Sequence, residues 1–514
     1  MYSKVYSAGI TGIDGFIVTV ECSARNKIPE FDLVGLPDTA VKEAKERVRN
    51  ACANSGIPFP VAALTVNLAP ADKKKEGSAL DLPILLSILH AGAVILPERD
   101  LSKKCFVGEL SLSGEVRGVR GVLSMCVAAR EEGFSEFYVP KANAEEAAAV
   151  EGINVIPVSN ISELVRHLNG NFEMEIQKYD RNKFKQSASR SIMDFADVKG
   201  QSLAKRAMEI AAAGNHNILL IGPPGTGKSM LAKRLPGILP PLTFEEAIES
   251  TKIYSVSGSI SGETSLLCNR PFRSPHHTMS AVSLVGGGAN PVPGEVSLAH
   301  NGVLFLDELP EFPKQVTDTL RQPLEDGKVT ITRALAKATF PCNFMLVAAM
   351  NPCRCGYFGH PTKECTCKPD DVKRYISKIS GPLLDRIDIQ IELPSLSYVE
   401  ISSNEGQAEK SEVIRARVTE AREFANKRMI EAGERAKPNS DLDSAQIRRF
   451  CPLDESARLI LQSAYDSLGF SARGYDRVLR VARTIADLDK SDIIQAHHIA
   501  EAIQLRSLDK KYWG

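Results

Sequence analysis

Short apolar runs alternate with helix-like periodicity along the first third of the chain. Between residues 39 and 55 the apolar positions recur at helical spacing, which predicts a helix over Thr39–Ser55. Short β-branched runs predict four strands: Phe16–Val20, Ala63–Leu68, Cys105–Val107 and Glu136–Val139. The alternation of the two patterns predicts an α/β or α+β domain over residues 1–170.

The apolar periodicity stops after this domain and returns in a different form at Met193. Between the two regions, Lys178–Arg190 contains five basic residues against one acidic residue, and it has no aliphatic run. This composition predicts a solvated linker over residues 171–192, with a basic tether beside DNA as the alternative.

Residues 193–394 have the pattern of a second α/β unit. A helix is predicted at Leu203–Ala213, before a buried strand at Ile218–Ile221, a glycine-rich loop and a helix at Lys228–Leu235. Two more buried strands are predicted at Val303–Leu306 and Phe344–Ala348. Residues 395–514 are predicted to form a helical domain, because apolar positions recur at helical spacing across 411–433, 454–468, 472–487 and 495–505.

The composition is typical of a globular protein with several domains. The chain has 514 residues, of which 43% are hydrophobic and 25% are charged. Its formal net charge is zero, so a nucleic-acid surface has to be a local patch. No apolar run is long enough for a membrane span, the first residues do not resemble a signal peptide, and eleven cysteines favour thiols or metal ligands. We therefore expect a cytoplasmic protein that does not enter the membrane.

The glycine-rich loop fits the GxxxxGK[ST] pattern of a phosphate-binding loop. It comprises Gly222, Pro223, Pro224, Gly225, Thr226, Gly227, Lys228 and Ser229, directly between a predicted strand and a predicted helix. Backbone N–H groups in such a loop surround phosphates, assisted by the positive end of the following helix. We expect Lys228 to reach the β- and γ-phosphates of ATP and the Ser229 hydroxyl to ligate Mg²⁺.

Two later strands end in polar residues that suit the same site. The strand at 303–306 is followed by Asp307 and Glu308, and ligands of open α/β sheets bind at such carboxyl ends. We expect Asp307 to hold Mg²⁺ through water and Glu308 to act as the general base. Asn351 follows the strand that begins at Phe344, and we expect it to orient the attacking water or contact the γ-phosphate. A capping asparagine is the alternative.

Arg386 is a candidate arginine finger. A finger supplies planar positive charge to the transition state of phosphoryl transfer, in many cases from a neighbouring subunit. The alternative is an ordinary ion pair with Asp385 or Asp388.

A predicted helix capped by Ser471 has an arginine-rich face. Arg473, Arg477 and Arg480 recur at helical spacing on it. Arg473 is the candidate for a contact with the γ-phosphate from a lid helix, and a solvated arginine face is the alternative.

Together these motifs resemble one bacterial family. The phosphate-binding loop, Arg270–His277 (RPFRSPHH), Gly294–Gly302 (GEVSLAHNG) and the LDELPEF and SGPLLDRID segments closely resemble the ComM/YifB family of magnesium-chelatase-like AAA+ ATPases. The resemblance covers essentially the whole chain. It implies an AAA+ core with a helical carboxy-terminal lid in the helix-2-insert clade, which includes magnesium chelatase and MCM helicases. It further implies an insert between Pro271 and Val296, a hairpin at Lys328–Pro341, a trans-acting finger at position 386 and a sensor arginine at position 473.

The resemblance also implies a function. ComM-type members are associated with hexameric rings that drive branch migration of DNA during natural transformation. The chain is thus expected to be a homohexameric, ATP-driven DNA helicase or branch-migration motor in recombination or transformation. Arg270, Arg273, Arg333 and Lys337 are the implied pore-side cations, with structural loop residues as the alternative. A protein-remodelling chaperone or regulator and a metal-chelatase motor subunit are the alternative functions.

The amino-terminal domain resembles the Lon-protease-like fold (ribosomal S5 domain 2-like), which is also found in RadA. The segments Lys75–Pro83 and Gly108–Arg117 carry this likeness. The resemblance puts Ala79 at the nucleophile position and Leu123 at the lysine position, and neither side chain can act as a nucleophile or base. A scaffold or DNA-guiding role is therefore expected, although Ser78 beside the nucleophile position leaves the register open.

Four cysteines form a compact motif after Asn351. Cys353 and Cys355 form one C-x-C pair, and Cys365 and Cys367 form another. Four thiolates in a short loop could bind structural Zn²⁺ in a tetrahedral site, and a set of reduced thiols is the alternative. Cys342 is expected to begin the strand at Phe344 and not to join this cluster.

Overall fold

The computed structural model describes residues 1–513 except 76, 98–99, 182–183, 185–192, 261–265, 289, 334–336, 397–408 and 469. It has an amino-terminal α/β domain, a parallel-sheet core and a helical carboxy-terminal part. Much of the predicted linker 171–192 and the beginning of the predicted helical domain lie outside the described residues. Among the helices that are described, none has the length and apolar character required to span a bilayer.

The amino-terminal domain contains a mixed sheet packed against helices. Its strands are β1 (Tyr2–Thr11), β2 (Asp14–Arg25), β3 (Glu30–Val34), β4 (Ala63–Ala69), β5 (Lys104–Phe106), β6 (Glu109–Leu110), β7 (Val116–Arg117), β8 (Glu136–Pro140) and β9 (Asn154–Val158). Its helices are α1 (Thr39–Lys42), α2 (Ala44–Asn54), α3 (Asp81–Ala91), α4 (Val122–Glu131), α5 (Ala144–Ala148) and α6 (Ile161–Leu168). Within the described residues, seven of the strands form one sheet in the order β3-β4-β2-β1-β5-β8-β9.

The side-chain pattern of β2 explains why it forms a strand with one buried face. Phe16, Val18, Val20 and Cys22 are buried and alternate with more exposed residues, which is the period-two pattern of a sheet. The sequence prediction located this strand but gave only its central part. The predicted helix over residues 39–55 is interrupted at Glu43, where α1 ends and α2 begins.

The core contains the elements that surround the phosphate-binding loop. Its helices are α7 (Ser202–Gly214), α8 (Lys228–Arg234), α9 (Phe244–Ser257), α10 (Ala281–Val285), α11 (Glu295–Leu298), α12 (Lys314–Asp318), α13 (Arg321–Asp326), α14 (Pro369–Ile376) and α15 (Gly381–Leu384). Its strands are β10 (Ile218–Ile221), β11 (Phe272–Arg273), β12 (Gly286–Gly287), β13 (Val292–Pro293), β14 (Val303–Leu306), β15 (Lys328–Thr332), β16 (Lys337–Pro341), β17 (Met345–Met350) and β18 (Ile389–Glu392).

The central sheet of the core is parallel, so all its carboxyl ends meet at one edge. The order is β11-β14-β17-β10-β18, and each neighbouring pair is parallel. The phosphate-binding loop follows β10, Asp307 follows β14 and Asn351 follows β17, so the three lie at the same edge. Arg386 precedes β18 and therefore lies at the opposite edge. The predicted hairpin at 328–341 is formed by β15 and β16.

The carboxy-terminal helices share a hydrophobic cluster with the core. They are α16 (Ser411–Glu431), α17 (Ser444–Phe450), α18 (Glu455–Leu468), α19 (Ala472–Leu488), α20 (Ala496–Gln504) and α21 (Leu508–Trp513). Leu220 and Val347 of the sheet belong to the same buried cluster as Val418 and Ile485 of α16 and α19. The Ser471 side chain accepts a hydrogen bond from the Gly474 N–H and caps α19, as predicted.

The described residues of the amino-terminal domain contact the core at α9 and at the β15–β16 hairpin, among other places. At the end of α9, the Gly121 N–H donates to the Ser255 carbonyl over 3.3 Å, and the Ser255 hydroxyl donates to Glu146. At the turn between β1 and β2, Gly12 lies against Ala338 of the β15–β16 hairpin, because a Cβ at Gly12 would be 3.5 Å from the Ala338 Cβ. These contacts connect the domain to the hairpin and to α9.

The described part of the predicted linker is not simply solvated. The rings of Tyr179 and Phe184 both contact the ring of Phe244 in α9, with centroids 6.1 and 5.8 Å apart. Arg181 lies over the same ring, 4.7 Å from its centroid. Apolar and cation–π contacts thus hold this segment on the core.

The two positions that the Lon-like resemblance aligns with a catalytic dyad are buried and apolar. Ala79 and Leu123 belong to one hydrophobic cluster. The neighbouring Ser78 hydroxyl donates to Glu109, whereas the ammonium of Lys75 donates to the Pro70 carbonyl. Ser78 and Lys75 therefore have separate hydrogen-bond partners.

Candidate nucleotide site

The glycines of the phosphate-binding loop permit its backbone conformation. Gly225 and Gly227 have φ values of +82° and +89°, which L-residues rarely adopt. A Cβ at Gly222 would lie 2.7 Å from the Leu393 carbonyl oxygen, so this position also excludes a side chain. The Thr226 hydroxyl donates to the Pro223 carbonyl over 2.9 Å and closes the turn.

Lys228 connects the loop to Asn351, which follows β17. Its ammonium donates to the Gly222 carbonyl at 2.6 Å, the Pro223 carbonyl at 2.9 Å and the Asn351 Oδ1 at 3.1 Å. Burial lowers the pKa of Lys228 to about 8, against the opposing attraction of Asp307 and Glu308. A bound phosphate would add negative charge and favour the charged form of this lysine.

The structure brings Ser229 and Asp307 together. The Ser229 hydroxyl donates to the Asp307 Oδ2 over 2.7 Å, and the Glu308 N–H donates to the Asp307 Oδ1 over 3.0 Å. A hydroxyl and a carboxylate beside a phosphate loop are oxygen ligands of the kind that Mg²⁺ prefers. The side chains therefore fit Mg²⁺ with ATP.

Glu308 has a strained backbone and a histidine partner. Its φ and ψ are +53° and +46°, in the left-handed region that costs a non-glycine residue about 1–3 kcal/mol. Its carboxylate is half exposed, and its Oε2 lies 3.5 Å from the His277 Nδ1. The sequence analysis missed His277, because nothing in the run of residues 270–277 distinguishes this histidine from His276 beside it.

Arg386 lies far from this loop in the same chain. Its guanidinium pairs with Glu325 and donates to the Pro382 carbonyl over 2.7 Å. The alternative interpretation was an ion pair of Arg386 with Asp385 or Asp388, but its partner is Glu325. Asp388 instead binds His216, at 3.0 Å. Since β10 is four residues long, the two edges of the sheet are about 13 Å apart along it.

Arg473 lies with Arg386 and not with the phosphate loop of its own chain, which corrects the expectation of a lid arginine aimed at that loop. Its guanidinium is exposed and lies 3.5 Å from Asp385, which Arg477 also contacts at 3.3 Å. Arg477 is buried, so the predicted arginine face is not uniformly solvated. Helix α19 packs its apolar face on the core in an orientation that directs these arginines to the amino ends of the strands. Together with Arg386 and Arg480 they line a groove of about 710 Å³.

The four candidate DNA-binding cations fall into two groups. Arg270 is mostly buried and donates to the Pro240 and Asn301 carbonyls over 2.6 and 2.7 Å, and it pairs with Glu246. Arg273 forms a bidentate pair with Glu295, with distances of 2.6 and 2.7 Å. Both therefore fix the ends of the insert, contrary to the expectation of pore-side cations, because acidic residues and carbonyls surround them. Arg333 and Lys337 are exposed at the end of the β15–β16 hairpin where the two strands are connected.

The four cysteines of the predicted cluster converge. Their sulfurs all lie within 4.8 Å of one another. Cys342 is buried separately, between β16 and β17. It does not begin the strand predicted at Phe344, since β17 starts at Met345 and the Cys342 N–H donates to the Gly327 carbonyl at the base of the hairpin.

Comparison with known proteins connects this geometry to one family. Three family models match the chain: magnesium chelatase, subunit ChlI, over residues 194–401; subunit ChlI of Mg-chelatase over 20–143; and the ChlI carboxy-terminal region over 408–506. The chain is 43% identical to YifB of Escherichia coli K12 over 509 residues, which cover 99% of this chain and 97% of that protein.

Two further relatives cover very different shares of the chain. The competence protein ComM of Haemophilus influenzae is 44% identical over 510 residues, covering 98% of this chain and 97% of that protein. The DNA repair protein RadA of Bacillus subtilis is 34% identical over only 93 residues, covering 18% of this chain and 20% of that protein. The full-length matches, together with the phosphate loop and its carboxylates, show that the chain belongs to the ComM/YifB family of magnesium-chelatase-like, AAA+-like ATPases.

Proposed function

We propose that this protein is an ATP-driven DNA motor that works as a homohexameric ring, with helicase or branch-migration activity in recombination or transformation. The observation that carries the proposal is the division of the site into two sets of residues. Lys228, Ser229, Asp307 and Glu308 are at one edge of the sheet, and Arg386 is at the other. Head-to-tail assembly of identical chains joins such opposite edges, and it closes into a ring when the rotation between neighbours divides a full turn.

In this proposal the loop residues bind the nucleotide and its metal ion. The backbone N–H groups of Gly225 to Ser229 surround the phosphates, and the Lys228 ammonium exchanges its carbonyl partners for phosphate oxygens. Mg²⁺, held by Ser229 and Asp307, would neutralise charge on the β- and γ-phosphates. Glu308 accepts a proton from the attacking water, which Asn351 orients from its position beside Lys228.

The arginines act across the subunit boundary. Arg386 supplies positive charge to the γ-phosphate that the neighbouring chain holds, and Arg473 contacts the same phosphate from α19. Asp385 supports this arrangement, since it contacts both Arg473 and Arg477 and holds them together. Nucleotide turnover then depends on the relative position of two subunits, which allows hydrolysis to move the ring along DNA.

The exposed hairpin supports DNA as the substrate. Arg333 and Lys337 are exposed at its end, where no acidic side chain within the described residues pairs with either. The name of the Haemophilus relative, a competence protein, points to the same substrate class. Because the chain has no net charge, a DNA contact requires a local patch of basic residues such as this one.

We expect single-stranded or four-way DNA to stimulate ATP hydrolysis several-fold, and the Arg333→Ala/Lys337→Ala variant to lose most of that stimulation. DNA affinity should also fall steeply with salt, with a slope reduced by roughly 1 for each cation removed. Phosphate release measures the stimulation of ATP hydrolysis. Fluorescence anisotropy with labelled single-stranded, duplex and four-way DNA measures the DNA affinity and its dependence on salt.

Arg458→Ala is the matched control, because Arg458 is an exposed arginine on α18 away from the hairpin. It should leave both the stimulation and the salt slope unchanged. The DNA proposal would be contradicted if DNA did not change the rate of ATP hydrolysis and the protein did not bind forked or four-way DNA. The ATPase assignment would then stand with a protein-remodelling or metal-chelatase role.

We expect His277→Asn to lower kcat by about tenfold, the effect of losing about 1.4 kcal/mol of transition-state stabilisation. His277 contacts Glu308 but no residue of the phosphate loop among those described, so KM for ATP should be unchanged. Steady-state ATPase kinetics separate these parameters. His276→Asn is the control, since His276 bonds Thr278 instead. A matching rise in KM, or equal losses in both variants, would contradict a positioning role for His277.

A further inference from the structure

The loop after Asn351 brings four sulfurs together beside the ATP site. The Cys353 sulfur lies 3.3 Å from that of Cys355 and 3.7 Å from that of Cys365, and the last two are 3.6 Å apart. Cys367 completes the group within the 4.8 Å limit. Cys353 is fully buried, and the other three are half-buried.

These distances fit a single tetrahedral metal ion. A Zn–S bond of about 2.3 Å requires sulfurs about 3.8 Å apart in a tetrahedron. A disulfide would require about 2.05 Å, which is much shorter than any of the three measured separations. Four thiolates without a histidine or carboxylate are a typical ligand set for structural zinc.

The hydrogen bonds around the cluster exclude His360 as a ligand. His360 is engaged elsewhere: its Nε2 lies 2.8 Å from the Ser395 hydroxyl, and its Nδ1 accepts from the Lys363 N–H over 3.0 Å. A zinc ion with four thiolates has two net negative charges, and the loop offers three basic side chains against one acidic one: Arg354, Lys363 and Lys368 against Glu364.

We propose that Cys353, Cys355, Cys365 and Cys367 bind one Zn²⁺ ion, and that this ion holds the loop against the phosphate-binding loop. The site is structural, because four protein ligands leave no open position on the metal for water or substrate. It goes beyond the DNA-motor proposal and does not depend on it.

The contact with the phosphate loop is at Gly356. A Cβ at this position would lie 2.6 Å from the Pro224 Cδ, so the glycine lets the cysteine loop lie directly on the proline ring. On its other side, Cys353 is two residues from Asn351, whose side chain accepts from Lys228. The zinc site therefore fixes both the proline and the asparagine that border the Lys228 ammonium.

Helix α21, near residue 513, packs in the hydrophobic cluster to which Cys353 belongs. Leu508 and Tyr512 of α21 are buried in the hydrophobic cluster that contains Cys353, and Trp513 packs against it. Trp513 is the single tryptophan of the sequence. A change in the packing of this hydrophobic cluster is therefore expected to change the fluorescence of Trp513, which is measured without ATPase activity.

The first test is the metal content of the full-length protein, purified without chelators and measured by plasma mass spectrometry. We expect one zinc per chain in the unmodified protein and in Cys268→Ser, and no zinc in Cys355→Ser or Cys365→Ser, because a serine hydroxyl does not ionise at neutral pH. Cys268 is a suitable control, since it is half-buried and bonds the Leu266 carbonyl outside the cluster. Removal of zinc from the unmodified protein by a thiol reagent should change Trp513 fluorescence.

The second test separates the metal from its contact with the nucleotide loop. Gly356→Ala should retain zinc but raise KM for ATP several-fold, because the added methyl group pushes on Pro224. Gly359→Ala is the control: its φ of +75° imposes the same backbone strain as the +87° of Gly356, yet no atom lies closer to its Cβ than the Lys511 Nζ, at 4.0 Å. Gly359→Ala should retain zinc and should have an unchanged KM for ATP.

Each outcome decides a part of the proposal. An unmodified protein that contains no metal, takes up no added zinc and has all four thiols free in a thiol titration would overturn the site. Iron in place of zinc would overturn the choice of metal. Equal KM values for the two glycine variants would overturn the contact with the nucleotide loop. None of these results depends on whether DNA stimulates the ATPase, so failure here is distinct from failure of the motor proposal.

Discussion

Replacing Glu308 with Gln is expected to lower the rate of ATP hydrolysis by about 100- to 10,000-fold while leaving ATP binding intact. The amide has nearly the same shape as the carboxylate but does not accept a proton from water. Glu308 lies outside the phosphate-binding loop and is not among the hydrogen-bond partners of Lys228. The loop and Lys228 should therefore bind the phosphates of ATP as in the unmodified protein. Phosphate release measures the loss, and equilibrium titration with a fluorescent ATP analogue measures binding.

Glu311→Gln is the matched control for this variant. Glu311 lies in the same turn, is comparably exposed and pairs with Lys378 at 3.4 Å. It should retain normal kcat and KM. If Glu308→Gln hydrolysed ATP within a few-fold of the unmodified protein, Glu308 would not be the general base.

Replacing Arg386 with Ala is expected to lower kcat by about 1,000- to 100,000-fold, the range in which arginine fingers contribute. Its guanidinium is at the edge of the sheet opposite to the phosphate loop of its own chain, so the loss has to arise at a neighbour's site. ATP binding by the variant should be close to normal, because its own loop is unchanged. The variant also loses the pair with Glu325, so its thermal unfolding is measured alongside.

A mixing experiment identifies the chain on which Arg386 acts. A preparation of Arg386→Ala supplies intact phosphate loops, and Lys228→Ala supplies intact arginines; mixed rings should therefore regain part of the activity that both lack alone. Arg374→Ala, which removes a highly exposed arginine of α14, is the control and should be fully active. Mixed rings that form but stay inactive would contradict action across the interface.

The sequence predicted the nucleotide loop well because its chemistry is local. The residues from Gly222 to Ser229 are contiguous, and their spacing alone specifies a turn that only glycines permit and a lysine at the start of a helix. Asp307 and Asn351 were also predicted correctly as neighbours of this loop, since the carboxyl ends of parallel strands meet at one edge. The measured contacts of Ser229 with Asp307 and of Lys228 with Asn351 agree with this reasoning.

The sequence did not predict which of the four candidate DNA-binding cations pair with acidic residues and which are exposed. Arg270 and Arg273 were grouped with Arg333 and Lys337 because all four are cations in loops of the insert and hairpin. Only packing distinguishes them: Glu246 and Glu295 are distant enough along the chain that no spacing rule connects them to the first two. His277 was missed for the same reason, as its partner Glu308 lies beyond the insert.

The sequence by itself therefore determined the main strands and helices of the core, the nucleotide loop, the polar residues that follow β14 and β17, and the membership of the four-cysteine motif. Only the tertiary structure decided where Arg473 and Arg386 lie. Local spacing places an arginine on a face of α19, but the packing of that helix on the sheet chooses the edge that the face meets. The edge it meets is the one away from the phosphate loop, because the apolar side of α19 is buried against the core and directs its arginines toward the amino ends of the strands.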